Sequence, residues 1–310
     1  MEIFTSFQDM QQPPTTPILT MGNFDGIHRG HQHIFRLVQQ RAKELQGTSC
    51  VLTFDPHPQK ALFPEKEFFL INHMEEKIEI IRRIGIDALF CVPFTREFAA
   101  SPPLNFVQRI LVDTLHVREI YVGENSRFGS GQEGTPEQLA LWGETYGFTV
   151  CRIPPIRHNG SIVSSTKIRQ LLRAGAVDQA ADFLDRPYAV DGLVVQGTHR
   201  GTTLLGYPTA NIDVHHELIP GKGVYICHVK WNTTLYPAVI NIGTNPTFQQ
   251  KNTIFVEVHI LDFHADLYGQ RITVLFRKRL RDELKFPTYQ DLIQQIAQDV
   301  TDTQAFFRHQ

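Results

Sequence analysis

The sequence predicts an α/β protein in two parts: a doubly wound parallel sheet, then a smaller antiparallel β-rich domain that ends in a helix. Three observations predict it. Strand-like and helix-like apolar patterns alternate through the first half, the pattern changes to short β-rich runs beyond about residue 186, and 310 residues is long for one compact core.

In the first part "TPILTMG" reads as a strand and "HRGHQHIFRLVQQRAKEL" as an amphipathic helix, its apolar residues recurring at helical spacing. "TSCVLTF" is a strand, "MEEKIEIIRRIG" a helix and "DALFCVPF" a strand again. A helix over 101–115 starts on Ser-Pro-Pro, which suits an N-terminus. The strand "REIYVG", the helix "GTPEQLALWGETYG" and the strand "FTVCRIPP" complete the alternation that βαβ units require. After the helical "SSTKIRQLLRAGAVDQAADFL" come "YAVDGLVVQG", "GVYICHVKW", "LYPAVINIG", "TIFVEVHIL" and "RITVLFRKRL", separated by Gly, Pro and Asn turns. These runs fit a small antiparallel barrel or a sandwich, and "TYQDLIQQIAQDVTDTQAFFRH" returns to helical spacing. The boundary falls near 185–187, giving domains of 1–186 and 187–310.

A net charge of −2 supplies no global field for nucleic acid or an anionic membrane, so any basic site must be local. The basic cluster 277–281 is followed by acids and reads as a solvated strand end. The first residues lack the basic and apolar regions of a secretory signal, and no apolar run approaches a membrane span, so a cytoplasmic location is expected. Cys50, Cys91, Cys151 and Cys227 are far apart and lie within strand-like runs; they read as buried thiols in a reducing compartment. The sequence is silent on oligomeric state.

"GNFDGIHRGHQ", residues 22–32, follows the first strand. Gly22 and Gly26 allow a sharp turn at a strand's carboxyl end, where open α/β sheets bind ligands, and a helix starts near 28–30. Helix N-termini attract phosphate, to which His28 and His31 could donate further hydrogen bonds. A metal would need a third ligand, for which His33, His57 and His73 are the candidates, and plain surface placement of the two histidines is also open. "SSTKIRQLL", residues 164–172, adds hydroxyls at a second helix start, with Lys167 and Arg169 behind them; these cap a helix and also suit a triphosphate.

"GNFDGIHRGH" and "VSSTKIR" together resemble the nucleotidylyltransferase superfamily. "TFDPHP" (53–58), "REFAAS" (96–101) and "VGENSRFG" (122–129) narrow the resemblance to the prokaryotic bifunctional riboflavin kinase/FMN adenylyltransferase family, and it runs in order across nearly the whole chain. The resemblance implies a Rossmann-like N-terminal domain that transfers AMP from ATP to FMN, giving FAD and pyrophosphate. The nucleophile is already an anionic phosphate, so positioning and charge stabilisation suffice. By resemblance Gly22, Phe24, Asp25, Gly26, His28, Gly30 and His31 belong to the ATP site, with His28 and His31 catalytic and no zinc. Ser164, Ser165, Thr166 and Arg169 hold the β,γ-phosphates. Asp55, Pro56, His57, Pro58, Asn125, Arg127 and Phe128 lie at the flavin. Ser126 stands where the family usually has an aromatic residue, so stacking there is lost.

In the second part "LLGYPTANI", residues 204–212, reads as a Gly-Pro turn between strands, and Glu257 is a lone carboxylate in the alternation of "TIFVEVHIL", facing solvent if Val256 and Val258 face the core. The resemblance makes the first a riboflavin kinase signature and the domain an antiparallel β-barrel with a C-terminal helix. Gly201, Gly206, Pro208, Thr209, Asn211 and Arg281 then belong to its ATP and flavin site, Thr209 and Asn211 ligate Mg²⁺, and Glu257 is the general base for riboflavin. His259 shares the face of Glu257. Thr202 and Thr203 replace a glycine and a basic residue common in the family, so a chain keeping one activity, its other domain serving as a flavin-binding or regulatory module, is the alternative.

Overall fold

A computed structural model describes residues 1–196, 207–244 and 254–308. The chain folds as two units, Met1–Ser165 and Thr166–Gln310. In the first, strands β1 (Glu2–Phe4), β2 (Pro17–Met21), β3 (Thr48–Asp55), β4 (Ala88–Pro93), β5 (Glu119–Gly123) and β6 (Thr149–Ile153) form one sheet in the order β1-β4-β3-β2-β5-β6. Every pairing is parallel. β3 and β4 are buried nearly throughout, which is why they read as continuous apolar runs rather than as alternation.

Helices α1 (Arg29–Glu44), α2 (Pro58–Leu62), α3 (Met74–Ile84), α4 (Arg96–Ala99), α5 (Pro103–Phe106) and α6 (Pro136–Tyr146) connect the strands. One sheet face buries Ile18, Val51 and Leu89 against Phe35 and Val38 of α1 and Ile81 of α3. The other buries Leu19, Leu52, Phe90 and Ile120 against Phe106, Leu111 and Leu139. The chain walks outward from β2 to β3 to β4, then returns to the opposite side of β2 with β5. The carboxyl end of β2 is therefore the topological switch point, the place where such sheets open a crevice.

The second unit contains nearly all of α7 (Ser165–Arg173), then α8 (Val177–Leu184), six strands and the last helix; a two-stranded hairpin of β7 (Arg157–His158) and β8 (Ser161–Ile162) precedes it. The strands are β9 (Ala189–Val195), β10 (Ala210–Val214), β11 (Gly223–Trp231), β12 (Thr234–Thr244), β13 (Ile254–Ile260) and β14 (Arg271–Arg281). They close into a barrel, β10-β13-β12-β11-β14-β9, antiparallel at every pairing, which decides between barrel and sandwich. Its interior holds Ile240, Ile242, Val258, Val274 and Phe276, each essentially without exposure. α8 packs on β14 and α9 (Tyr289–Arg308) on β12.

One strand is added to the expected elements and two local expectations are corrected. β1 was hidden in "EIF", too short to show a period, and is made by pairing with β4. The helix over 101–115 is a single turn, Pro103–Phe106, that widens into π-type geometry over Val107–Val112. The last three residues of "LLGYPTANI", 210–212, are no turn but the start of β10, the strand whose pairing with β9 and β13 closes the barrel. The four cysteines are free and lie on β3, β4, β6 and β11, Cys151 being only partly buried.

Candidate active sites

In the first unit the carboxyl ends of β2 to β5 lead into the four segments singled out in the sequence: 22–32, 53–58, 96–101 and 122–129. Between β2 and α1 the backbone takes positive φ at Phe24, Gly26 and Ile27, a turn that only its tight packing sustains for the two larger residues. Asp25 is 2% exposed, and its carboxylate accepts from the backbone N–H of Ile71 (3.0 Å) and of Asn72 (3.4 Å). That side chain, expected at the nucleotide, fastens the segment before α3 to the turn. Ser165 donates to the Asp25 carbonyl at 2.8 Å.

His28 is the N-cap of α1 and its Nδ1 accepts the His31 N–H at 3.3 Å. The neutral ring then carries its proton on Nε2, a donor. The imidazoles of His28 and His31 stack at 3.6 Å between centroids, with the Phe24 ring edge-on to His31 at 5.2 Å. A side chain at Gly30 would meet the His28 ring at 3.2 Å, so that glycine makes room for the histidine pair. Burial, then His28, then the Lys77 ammonium hold His31 well below the usual imidazole range. Its buried Nδ1 has no partner among the described residues. No group of three potential His, Cys, Asp or Glu metal ligands occurs among the described residues.

Lys77 was not foreseen. It is 3% exposed, and its Nζ donates to the Asn23 carbonyl at 2.8 Å, pinning the turn from α3. Burial lowers its pKa, opposed by Asp25, Cys91 and Asp55. A lysine inside a helical repeat looks like a solvated position, and only the fold turns it inward.

His57 is buried, caps α2 by accepting the Gln59 N–H at 3.1 Å, and stacks on Phe68 at 4.7 Å. The Asp55–Pro56 peptide is cis. Phe128 continues a run of ring contacts through Phe106, Phe98, Phe94 and Phe54, with centroid separations of 5.2–6.0 Å. The aromatic wall beside 55–58 thus comes mainly from β3 and the β4–α5 connection. Asn125 and Arg127 are exposed, Arg127 donating to the Ser126 carbonyl at 2.8 Å.

In the barrel, Glu257 of β13 pairs in register with Asn211 of β10 and with Asn241 of β12. Val256 and Val258 face the interior, so Glu257 and His259 share the outer face. Glu257 is half-buried, which pushes its carboxyl up from the usual range, and it makes no hydrogen bond among the described residues. His259 Nδ1 bonds the Pro208 carbonyl at 2.8 Å, tying the start of β10 to β13. Thr209 stands two residues before Asn211; Gly201, Thr202, Thr203 and Gly206 lie outside the described residues.

Arg281, expected at the flavin or nucleotide, pairs with a carboxylate of the last helix. Its Nε and Nη2 bind Asp299 of α9 bidentately at 2.7–3.1 Å and its Nη1 donates to the Asp282 carbonyl at 3.1 Å. Asp299 is 4% exposed, and this fork clamps the last helix to the barrel.

Residues 10–167 match the FAD synthetase family model and residues 184–307 the riboflavin kinase model. The chain is 35% identical to the bifunctional riboflavin kinase/FMN adenylyltransferase of Escherichia coli K12, over 99% of this chain and 98% of that one. It is 36% identical to the protein of the same name from Pseudomonas fluorescens, over 93% and 92%. A solved structure described as a macrolide-efflux protein from Streptococcus pneumoniae is 31% identical and superposes with a TM-score of 0.88 over 97% of this chain and 98% of that one. Among the described residues here, no helix is long and apolar enough to cross a membrane.

Proposed function

The chain belongs to the bifunctional riboflavin kinase/FMN adenylyltransferase family, and from that premise we propose how its residues divide the two reactions. It phosphorylates riboflavin to FMN with ATP and adenylylates FMN to FAD with ATP, releasing pyrophosphate. By motif, residues 1–186 serve the second reaction and 187–310 the first, and free thiols suit the cytoplasm.

The observation that carries the kinase assignment is the register pairing of Glu257 with Asn211. Glu257 takes the proton of the riboflavin 5′-hydroxyl as that oxygen attacks the γ-phosphorus of ATP, and ADP leaves. Thr209 and Asn211 fit magnesium: both offer neutral oxygens with no other partner among the described residues, and such a set leaves room for water and phosphate oxygens. Bound there, the ion would neutralise charge on the phosphates.

In adenylyl transfer an FMN phosphate oxygen attacks the α-phosphorus and the bond to the β-phosphate breaks. No proton has to be removed from the nucleophile. His28 Nε2–H and the His31 ring lie at the switch point, where they would bind the phosphates and stabilise the charge that develops, with Ser164, Ser165, Thr166 and Arg169 assigned to the β,γ-phosphates by their motif. Asp55, His57 and Phe128 are assigned to the flavin.

Incubation with riboflavin, Mg²⁺ and ATP, followed by separation of the flavins, tests the reading. FMN and then FAD are expected; FMN alone, or no conversion, overturns the bifunctional assignment.

A further inference from the structure

The row that contains Glu257 holds one polar group without an assigned role. Asn241 of β12 is the direct register partner of Glu257 on the side opposite Asn211. Paired residues on antiparallel strands project to the same face with Cβ atoms about 4.5–5.5 Å apart. Ile240 and Ile242, both at 0% exposure, face the interior, so Asn241 stands with Glu257 on the outside of the barrel. Its Oδ1 is nevertheless shielded from solvent and accepts no hydrogen bond among the described residues.

A buried carbonyl without a donor costs stability that an aliphatic side chain of the same shape would not. Buried polar atoms are satisfied in nearly all native structures, and an exception calls for a donor from outside the chain. Glu257 beside it is likewise without a partner among the described residues, and burial raises its pKa. Two oxygen acceptors one strand apart, one ionisable and one neutral, suit a ligand with two hydroxyls on neighbouring carbons. A lone alcohol would satisfy only one of them.

We infer that Asn241 is a substrate-binding residue of the kinase site, its Oδ1 accepting a hydrogen bond from a secondary hydroxyl of the ribityl chain next to the hydroxyl that reacts. The inference rests on the riboflavin kinase reading and adds to it a selectivity for the polyol chain. A substrate without that hydroxyl leaves Oδ1 unpaired in the complex, and a site built around a substrate hydroxyl discriminates strongly against its absence.

The test uses the full chain and steady-state riboflavin phosphorylation. Asn241→Leu removes the acceptor at nearly constant shape. It is expected to raise KM for riboflavin about tenfold or more, to leave KM for ATP and the Mg²⁺ dependence unchanged, and to melt no lower than the parent without substrate. On the unaltered protein, one riboflavin analogue lacking a single secondary ribityl hydroxyl is expected to lose as much, and the variant to be indifferent to that deletion. An unchanged riboflavin KM, a lower melting temperature with all parameters impaired together, or an altered Mg²⁺ dependence would overturn the inference. So would an unaltered protein that treats every deoxy analogue like riboflavin, a result that needs no variant to fold. If the unaltered protein fails to phosphorylate riboflavin at all, the kinase reading falls first, and that outcome is distinct from the others.

Discussion

The two candidate sites spend their polar groups in opposite ways. At the switch point of the parallel sheet nearly every named group is bonded to a neighbour: His28 to the His31 N–H, Asp25 to 71 and 72, Lys77 to Asn23 and Ser165 to Asp25. On the barrel, Glu257 and Asn241 are left without partners among the described residues. The contrast follows the chemistry. Adenylyl transfer starts from an anionic nucleophile and needs fixed donors, which internal bonds preorganise. Phosphorylating an alcohol needs a base whose lone pairs are still unspent.

Breaking the barrel side should give the largest effect. Glu257→Gln is expected to cut riboflavin phosphorylation by about 10²–10⁴-fold, with FMN adenylylation intact in the same preparation. Because burial raises the Glu257 pKa and the working form is the carboxylate, the acid limb of kcat/KM for riboflavin should lie above the ordinary glutamate value, with activity lost as pH falls through it. On the sheet side, His28→Ala is expected to slow adenylylation by about 10²–10³-fold, as for loss of one preorganised donor, and to spare phosphorylation. Loss of both activities from either variant would erase the contrast. Lys77→Met should cost adenylylation about tenfold through a loosened turn. Removing that cation lowers the cost of the His31 imidazolium, so the imidazole titration of His31, followed by NMR, should move to higher pH. An unmoved titration would detach Lys77 from the histidine pair.

How much of this was legible depends on whether a residue acts through its local pattern. The alternation that makes β2 to β6, and His28 and His31 beside a strand end, are local facts. β10 escaped because Pro208 and the polar "TAN" look like a turn until both neighbouring strands are in place. Lys77 and Asn241 escaped for a related reason: each looks like a solvated residue, and its burial is decided by elements distant in sequence. Arg281 was legible as a cation in a matching motif, but its partner Asp299 is supplied by the last helix. Asp25 was legible as part of the motif, while its use as an anchor for 71 and 72 emerged only from the packed turn.

The clamp between Arg281 and Asp299 also bears on how the protein is made. Synthesis runs from the N-terminus, and domains generally fold as units in that order. The parallel sheet has all its strands once β6 has been translated, whereas the barrel must wait for β14 and its clamp for Asp299, midway along the last helix. On the ribosome the unit assigned to FAD formation can therefore mature before the unit that supplies its FMN, so the chain acquires its two activities in the reverse of the order in which a flavin meets them.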